Sequence, residues 1–251
     1  MNEERFTGKA DIYKKYRPSY SKELMDYLYS QVGFGQDSTV ADIGSGTGIF
    51  SRLLLEKGSK VYCVEPNEDM RMTAEKDLLG FENFISVNGN DKNTGLPDKS
   101  IDFITAAQAF HWFDRQAFKS ECQRILKPGG KVAIVYNGPE DCEFVRKRDI
   151  ISEKYAVGDK KGFRQRGDPP GEYADFFMNG VCENKTFRND LQFDRESFIG
   201  RDLSRSYSPK EETDPEKYYG LIKELGELFD GYNINGIVNF PHITVSYVGG
   251  V

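Results

Sequence analysis

The sequence predicts an α/β fold: a doubly wound, mostly parallel seven-stranded sheet with helices on both faces and a helical cover over its carboxyl edge. Three observations predict it. Short apolar runs alternate with helical periodicities through the first half of the chain, the βαβ pattern that builds parallel sheets. A glycine-rich turn, Gly44-Ser-Gly-Thr-Gly48, follows the first of those runs. Acidic residues close the first two runs, at Asp42 and Glu65.

Each element follows from its own pattern. Thr39–Ile43 is a short apolar run stopped by glycines, which reads as a buried strand. Ile49–Lys57 carries Phe50, Leu53 and Leu54 at helical spacing, with Gly58 as its stop. Lys60–Val64 is the second strand. A helix spans Asn67–Leu79, with Asn67 as N-cap, Glu68 and Asp69 in its first turn, and Gly80 at its end. Strands are expected at Phe84–Val87, Ile101–Thr105 and Lys131–Tyr136. A helix from Asp114 to Leu126 separates the last two, and Lys127-Pro-Gly-Gly130 breaks it.

In the second half Pro139–Tyr155 reads as helical and Gly158–Pro170 as a loop. Val181–Phe187 and Ile237–Tyr247 read as strands. Asp214–Phe229 is an amphipathic helix with Tyr218, Leu221, Leu225 and Leu228 on one face. Asn233–Gly236 has turn chemistry. The chain is read as one domain over 1–251, with a ligand-binding core at about 36–137. A covering segment at about 139–235 mixes aromatic residues (Phe163, Tyr173, Phe176, Phe177, Tyr207) with charged ones.

Composition narrows the function classes. The 251 residues are 38% hydrophobic and 29% charged, enough for a sizeable core, and the net charge is -6. That balance disfavours a nucleic-acid partner, and Arg146-Lys-Arg148 and Lys160–Arg166 read as solvated surface. A small-molecule substrate is expected. The charged start Met-Asn-Glu-Glu-Arg leads to no apolar run, and no window approaches about eighteen apolar residues. Cys63, Cys122, Cys142 and Cys182 are scattered without metal-ligand spacing. No metal site and a cytoplasmic location are therefore expected.

The chemistry lies in two strand ends. In such sheets ligands sit outside the carboxyl ends of the strands, where the strand order reverses. The glycine spacing is Gly-x-Gly-x-Gly, and position 49 is Ile where a dinucleotide fingerprint needs its last glycine. A carboxylate at Asp42 would repel a pyrophosphate and suit a cationic ligand, an ammonium or a sulfonium. Glu65, in Val61-Tyr-Cys-Val-Glu65-Pro66 and roughly 20 residues past the first glycine, is placed to accept hydrogen bonds from ribose hydroxyls.

These residues resemble the class I S-adenosylmethionine-dependent methyltransferases. Asp42–Gly48 resembles their motif I and Glu65 the acidic residue of motif II. Thr94-Gly-Leu-Pro-Asp98 with Ser100-Ile-Asp-Phe-Ile resembles the approach to strand 4, and Ile125-Leu-Lys-Pro-Gly-Gly130 the turn before strand 5. Ala106-Ala-Gln-Ala-Phe-His-Trp-Phe-Asp114 and Tyr13-Lys-Lys-Tyr-Arg-Pro18 are similar to the trans-aconitate-methyltransferase-like subset of the methyltransferase type 11 domain. Ser204-Arg-Ser-Tyr207 and Asn239-Phe-Pro-His-Ile-Thr244 match more loosely.

The resemblance implies a Rossmann-like fold, with S-adenosylmethionine as cofactor and S-adenosylhomocysteine as product. It places cofactor contacts on Asp42, Gly44, Ser45, Gly46, Glu65, Pro66, Asn90, Asp91, Ala107 and Gln108. Tyr13 and Arg17 would be added from the N-terminal segment, where Arg17 would pair with the methionine carboxylate; both could equally be helix surface packed on the domain. Relatives often carry Ala-Glu where this chain has Asp91-Lys92, so either Asn90 or Asp91 would meet the adenine. His111 is a candidate general base or a shape element beside Phe110 and Trp112. Phe110, Trp112 and Phe113 are expected to pack between helix and sheet, and His242 to be structural.

The resemblance favours O-methylation of a small molecule by direct in-line displacement. Alternatives are a nucleic-acid or protein methyltransferase and a non-catalytic cofactor-binding module. Asp168-Pro-Pro-Gly171 resembles an amino-methylating signature, but it falls about 60 residues late and ends in glycine, so it reads as a loop. A nicotinamide dehydrogenase is disfavoured by Ile49.

Overall fold

The computed structural model describes residues 15–158, 173 and 175–251. The chain enters through a short helix, Lys22–Tyr27 (α1), which runs into a π-helical turn at Leu28–Val32 and stops at Gly33 with φ 108°. The alternating half follows: Thr39–Ile43 (β1), Ile49–Glu56 (α2), Lys60–Val64 (β2), Glu68–Leu78 (α3), Phe84–Val87 (β3), Ile101–Ala107 (β4), Arg115–Ile125 (α4) and Leu126–Pro139 (β5). The remainder comprises Glu143–Tyr155 (α5), Glu183–Arg188 (β6), Leu191–Phe193 (β7), Arg195–Leu203 (α6), Pro215–Tyr232 (α7), Val238–Phe240 (β8) and His242–Gly249 (β9).

The main sheet has seven strands in the order β3-β2-β1-β4-β5-β9-β6. β1 to β5 are mutually parallel, and β9 runs antiparallel to both β5 and β6. The order reverses between β1 and β4, which fixes where a ligand cleft can open. Strand alternation divides the core. Val132 and Ile134 of β5 join Phe110, Phe118 and Ile125 on one face. Ala133 and Val135 join Leu24, Leu28, Phe50 and Leu54 on the other. α1, α2 and α3 therefore cover one face and α4 the opposite one.

Local chemistry sets the helix starts. Asn67 Oδ1 accepts from the Met70 N–H at 3.0 Å and Asp114 Oδ1 from the Ala117 N–H at 3.2 Å, satisfying donors that the first turn leaves unpaired. Cys63 and Cys122 are core thiols, 2% and 0% exposed. Among the described residues no helix is long and apolar enough to cross a membrane.

Several boundaries differ from the sequence reading. β5 continues through Pro139, because β9 pairs with it as far as Pro139 opposite His242; the following helix therefore begins at Glu143. Lys127–Gly130 forms the irregularity where β4–β5 pairing moves from Leu126 to Lys131. The expected strand Ile237–Tyr247 is two strands split at Pro241: β8 pairs with β7, and β9 joins the main sheet. Proline has no N–H to continue a ladder. The gap also places His242 at the carboxyl edge.

The cover has its own core. Phe144, Phe198, Leu221, Leu225, Phe229 and Phe240 bury one another between α5, α6, α7 and the β7–β8 ribbon. The N-terminal segment is strapped along α6. Tyr16 Oη donates to Glu196 at 2.7 Å, and a Cβ at Gly200 would lie 2.6 Å from the Tyr16 ring, so only glycine permits that approach. The expected loop at 158–170 lies, beyond Gly158, outside the described residues, as do Tyr13, Phe163 and Asp168–Gly171.

Candidate active site

A cleft of about 460 Å³ opens across the carboxyl ends of β1, β2, β4 and β5, under the cover. The glycine turn forms its floor. Gly44, Gly46 and Gly48 take φ of 68°, 57° and 80°, the left-handed region that glycine enters without steric cost. Gly44 and Ser45 donate to Val64 O at 2.8 and 3.2 Å. Ser45 Oγ and Thr47 Oγ1 are buried in this turn and have no hydrogen-bond partner among the described residues.

Asp42 and Glu65 both reach the cleft but are engaged from behind. Asp42, 1% exposed, accepts from Ser51 Oγ at 2.6 Å and Thr105 Oγ1 at 2.7 Å. Burial pushes its carboxyl up to about 6, opposed by these two hydroxyls. Asp42 thus ties β1 to β4 and α2 as well as contributing charge. Glu65 Oε2 accepts from the Gly46 N–H at 2.9 Å and Oε1 from the Asn67 N–H at 2.8 Å. Burial pushes its carboxyl up, and those two N–H groups oppose the shift.

The loop after β3 supplies one end of the cleft. Asn90 Oδ1 accepts the N–H groups of Lys92 and Asn93, both at 3.0 Å, so this side chain closes its own turn. Asp91 Oδ2 accepts from the Asp114 N–H at 3.0 Å, and burial pushes its carboxyl up. Asn90, Asp91 and Lys92 all line the cleft.

Gln108 stands at the tip of β4 with φ 55°, an uncommon conformation for a side-chain-bearing residue. Its N–H donates to Val135 O at 2.9 Å and its Nε2 to Asn137 O. Asn137 also accepts from Thr244 Oγ1 and donates through Nδ2 to Ser19 O at 3.1 Å. One residue at the end of β5 therefore joins the tip of β4 through its backbone carbonyl, and β9 and the N-terminal segment through its side chain.

The sequence-predicted residues converge with two exceptions. Asp42, Gly44, Ser45, Gly46, Glu65, Pro66, Asn90, Asp91, Ala107, Gln108 and Arg17 all line the cleft, while Tyr13 lies outside the described residues. His111 is not among the lining residues; its ring lies 4.7 Å from that of Trp112 and 6.0 Å from that of Tyr136. The aromatic trio divides: Phe110 is core, whereas Trp112 and Phe113 are cleft wall. Arg17 donates through Nε to Ser204 Oγ at 3.0 Å, so it lines the cleft and also packs on the cover.

Sequence reasoning missed Arg201 and Asn137 and set His242 aside as structural, yet all three line the cleft. The available signal was Arg201-Asp202 inside the apolar run Phe198, Ile199, Leu203, since charges inside a buried helix face need a reason. Among the described residues no group of three or more His, Cys, Asp or Glu could hold a metal.

Residues 41–134 match the family model described as a methyltransferase domain. An uncharacterised methyltransferase of Mycobacterium tuberculosis is 32% identical over 132 residues, 53% of this chain and 51% of that protein. The chain thus spans about half the length of that relative. An uncharacterised methyltransferase of Geobacillus kaustophilus is 30% identical over 164 residues, 59% of this chain and 74% of that protein. Among solved structures, a candidate type II methyltransferase from Anaeromyxobacter dehalogenans is similar in fold. It has a TM-score of 0.63 at 21% identity, covering 94% of this chain and 98% of that one.

Proposed function

The chain belongs to the class I S-adenosylmethionine-dependent methyltransferase family, and from that premise we propose that it transfers the methyl group of S-adenosylmethionine to an oxygen of a small molecule by direct in-line displacement. One observation carries the reading: the glycine turn and the Glu65 carboxylate share one cleft at the point where the strand order reverses.

The residues fit the cofactor. A Cβ at Gly46 would meet nothing within 4 Å, so the turn presents a bare cradle to the cleft. The Ser45 and Thr47 hydroxyls are buried polar atoms that a ligand would satisfy. Each Glu65 oxygen spends one lone pair on a backbone N–H and retains another for a ribose hydroxyl. Asp91 offers a carboxylate to the adenine amino group, since Asn90 is committed to its own turn. Asp42 and Glu65 put negative charge on the floor, matched to a sulfonium, and Arg17 offers a cation to the methionine carboxylate.

When bound, the cofactor supplies a methyl group already activated by its sulfonium. The protein has to orient the acceptor and exclude water. Trp112, Phe113, Phe50 and Tyr20 line the cleft with aromatic surface suited to that exclusion. The Val135 and Asn137 carbonyls fix Gln108 at the tip of β4, on the cleft wall that would face the methionine end of the cofactor. An acidic chain with a cleft beneath a cover suits a small acceptor better than a polyanion.

Calorimetry with S-adenosylhomocysteine tests the reading. Micromolar-scale binding with a thermal shift is the expected result. No heat and no shift would overturn the cofactor assignment.

A further inference from the structure

The cover holds more buried cation than it neutralises. Asp202, 0% exposed, accepts from Ser152 Oγ at 2.8 Å and pairs with Arg205 at 3.0 Å and Arg148 at 3.4 Å. Arg148 also reaches Asp149 at 3.3 Å. Arg201, next to Asp202 on α6 and only 6% exposed, makes no ion pair with a carboxylate among the described residues. Its Nη2 contacts His242 Nε2 at 3.2 Å, and its guanidinium lies 4.6 Å from the Phe240 ring centroid. Its Nη1 is buried with no hydrogen-bond partner among the described residues.

The contact with His242 fixes a tautomer. A guanidinium only donates, so His242 Nε2 must accept and the ring proton must sit on Nδ1. That Nδ1–H is the second buried donor here with no partner among the described residues. Burial first, and then Arg201, Arg148 and Arg17, push the ring down to about 2, so it is a neutral donor. Arg201 and His242, which carry these two stranded buried donors, both line the cleft, and the guanidinium there has no ion-pair partner among the described residues. Burying a charge without its counter-ion is costly, and a polar group without a partner adds to that cost. An arriving anion would relieve both.

We propose that Arg201 and His242 form the receptor for a carboxylate on the methyl acceptor. This rests on the methyl-transfer reading of the same cleft. A single uncompensated guanidinium balances one negative charge, and its planar fork matches a carboxylate. The two residues sit on α6 and β9, beneath the cover. The candidate cofactor contacts lie on the tips of β1, β2 and β4, the loop after β3, and the N-terminal segment. Selectivity follows from the donor set: a neutral amide leaves the guanidinium uncompensated, and an ammonium is repelled by it.

The test titrates the S-adenosylhomocysteine complex with acetate, succinate, citrate and benzoate, and with acetamide, succinamide and benzamide. At least one carboxylate should bind about tenfold or more tightly than its amide, and Arg201→Met should remove that preference. Affinity for S-adenosylhomocysteine should stay within about threefold in the variant. If Arg201→Met does not fold, Arg201→Lys keeps the charge without the fork and should still weaken the carboxylate selectively. Absence of carboxylate binding, equal binding of acid and amide, or loss of S-adenosylhomocysteine with carboxylates unaffected would each overturn the receptor. Wild-type protein that binds carboxylates but not S-adenosylhomocysteine would leave the receptor standing and remove the methyl-transfer reading.

Discussion

The Glu65 carboxylate accepts the backbone N–H of Gly46 at 2.9 Å, so the tip of β2 holds the glycine turn at the tip of β1 in place. The sequence reading gave Glu65 one task, hydrogen bonding a ligand. The structure adds a second, shaping the turn that receives it. Glu65→Ala should therefore weaken S-adenosylhomocysteine binding by about 1–3 kcal/mol, since it strands the Gly46 and Asn67 donors as well as the ribose hydroxyls. Glu65→Gln keeps one acceptor oxygen and should fall between. Unchanged affinity by calorimetry for the alanine variant would refute both tasks.

The glycines of the turn should separate folding from binding. A Cβ at Gly44 would lie 2.7 Å from the Ala109 Cβ, whereas one at Gly46 would meet nothing within 4 Å. Gly44→Ala should depress the melting temperature strongly. Gly46→Ala should cost only its left-handed backbone, roughly 1–2 kcal/mol, while placing a methyl group against the cleft. Its S-adenosylhomocysteine affinity should drop about tenfold or more. Equal melting losses in the two variants would contradict this geometry.

Asp42 should give stability a pH slope. Its folded pKa of about 6 lies above its ordinary 3.8, so the folded state holds the proton more tightly. Stability from this group is present at low pH and is lost as pH rises from about 4 to about 6, a difference of ~3 kcal/mol. Asp42→Asn keeps a group that can serve both hydroxyls and removes the titration. Melting curves of the cofactor-free protein should show the variant gaining on wild type across that window and running parallel from about pH 7. A constant difference at every pH would dispose of the buried-carboxylate account.

His242 should not titrate between pH 5 and 8. Its folded pKa of about 2 lies far below its ordinary 6.5, so the ring stays neutral. Its stability contribution is present at neutral pH and is lost as pH falls below about 6.5, where the unfolded chain takes up the proton. The chain has two histidines, so carbon-detected imidazole signals can be assigned with a His111→Asn variant. A midpoint near 6 for His242 would mean that the Arg201 side of the cleft is solvated.

The parallel half of the fold was legible because its signals are local. Thr39–Ile43, Lys60–Val64 and Phe84–Val87 are apolar runs bounded by glycine or polar turns, and each forms the expected strand. Asn67 caps its helix as cap chemistry predicted, and Asp114 caps the helix expected to begin there. The cover was less legible. Leu191–Phe193 is too short to show a period, and α6 is held by packing on Tyr16, Phe144 and Phe229 as much as by its own pattern. A long apolar run became two strands because Pro241 interrupts the ladder and each side found a different partner.

The sequence by itself determined the parallel strands and the residues of the cleft floor, because strand ends and glycine turns are written in neighbouring residues. Only the tertiary structure decided which groups face that floor from the cover. Arg201 and His242 are 41 residues apart and belong to a helix and a strand of different layers. Whether a buried guanidinium finds a carboxylate depends on how those layers dock. In this fold Asp202 goes to Arg148 and Arg205, and Arg201 is left to the cleft.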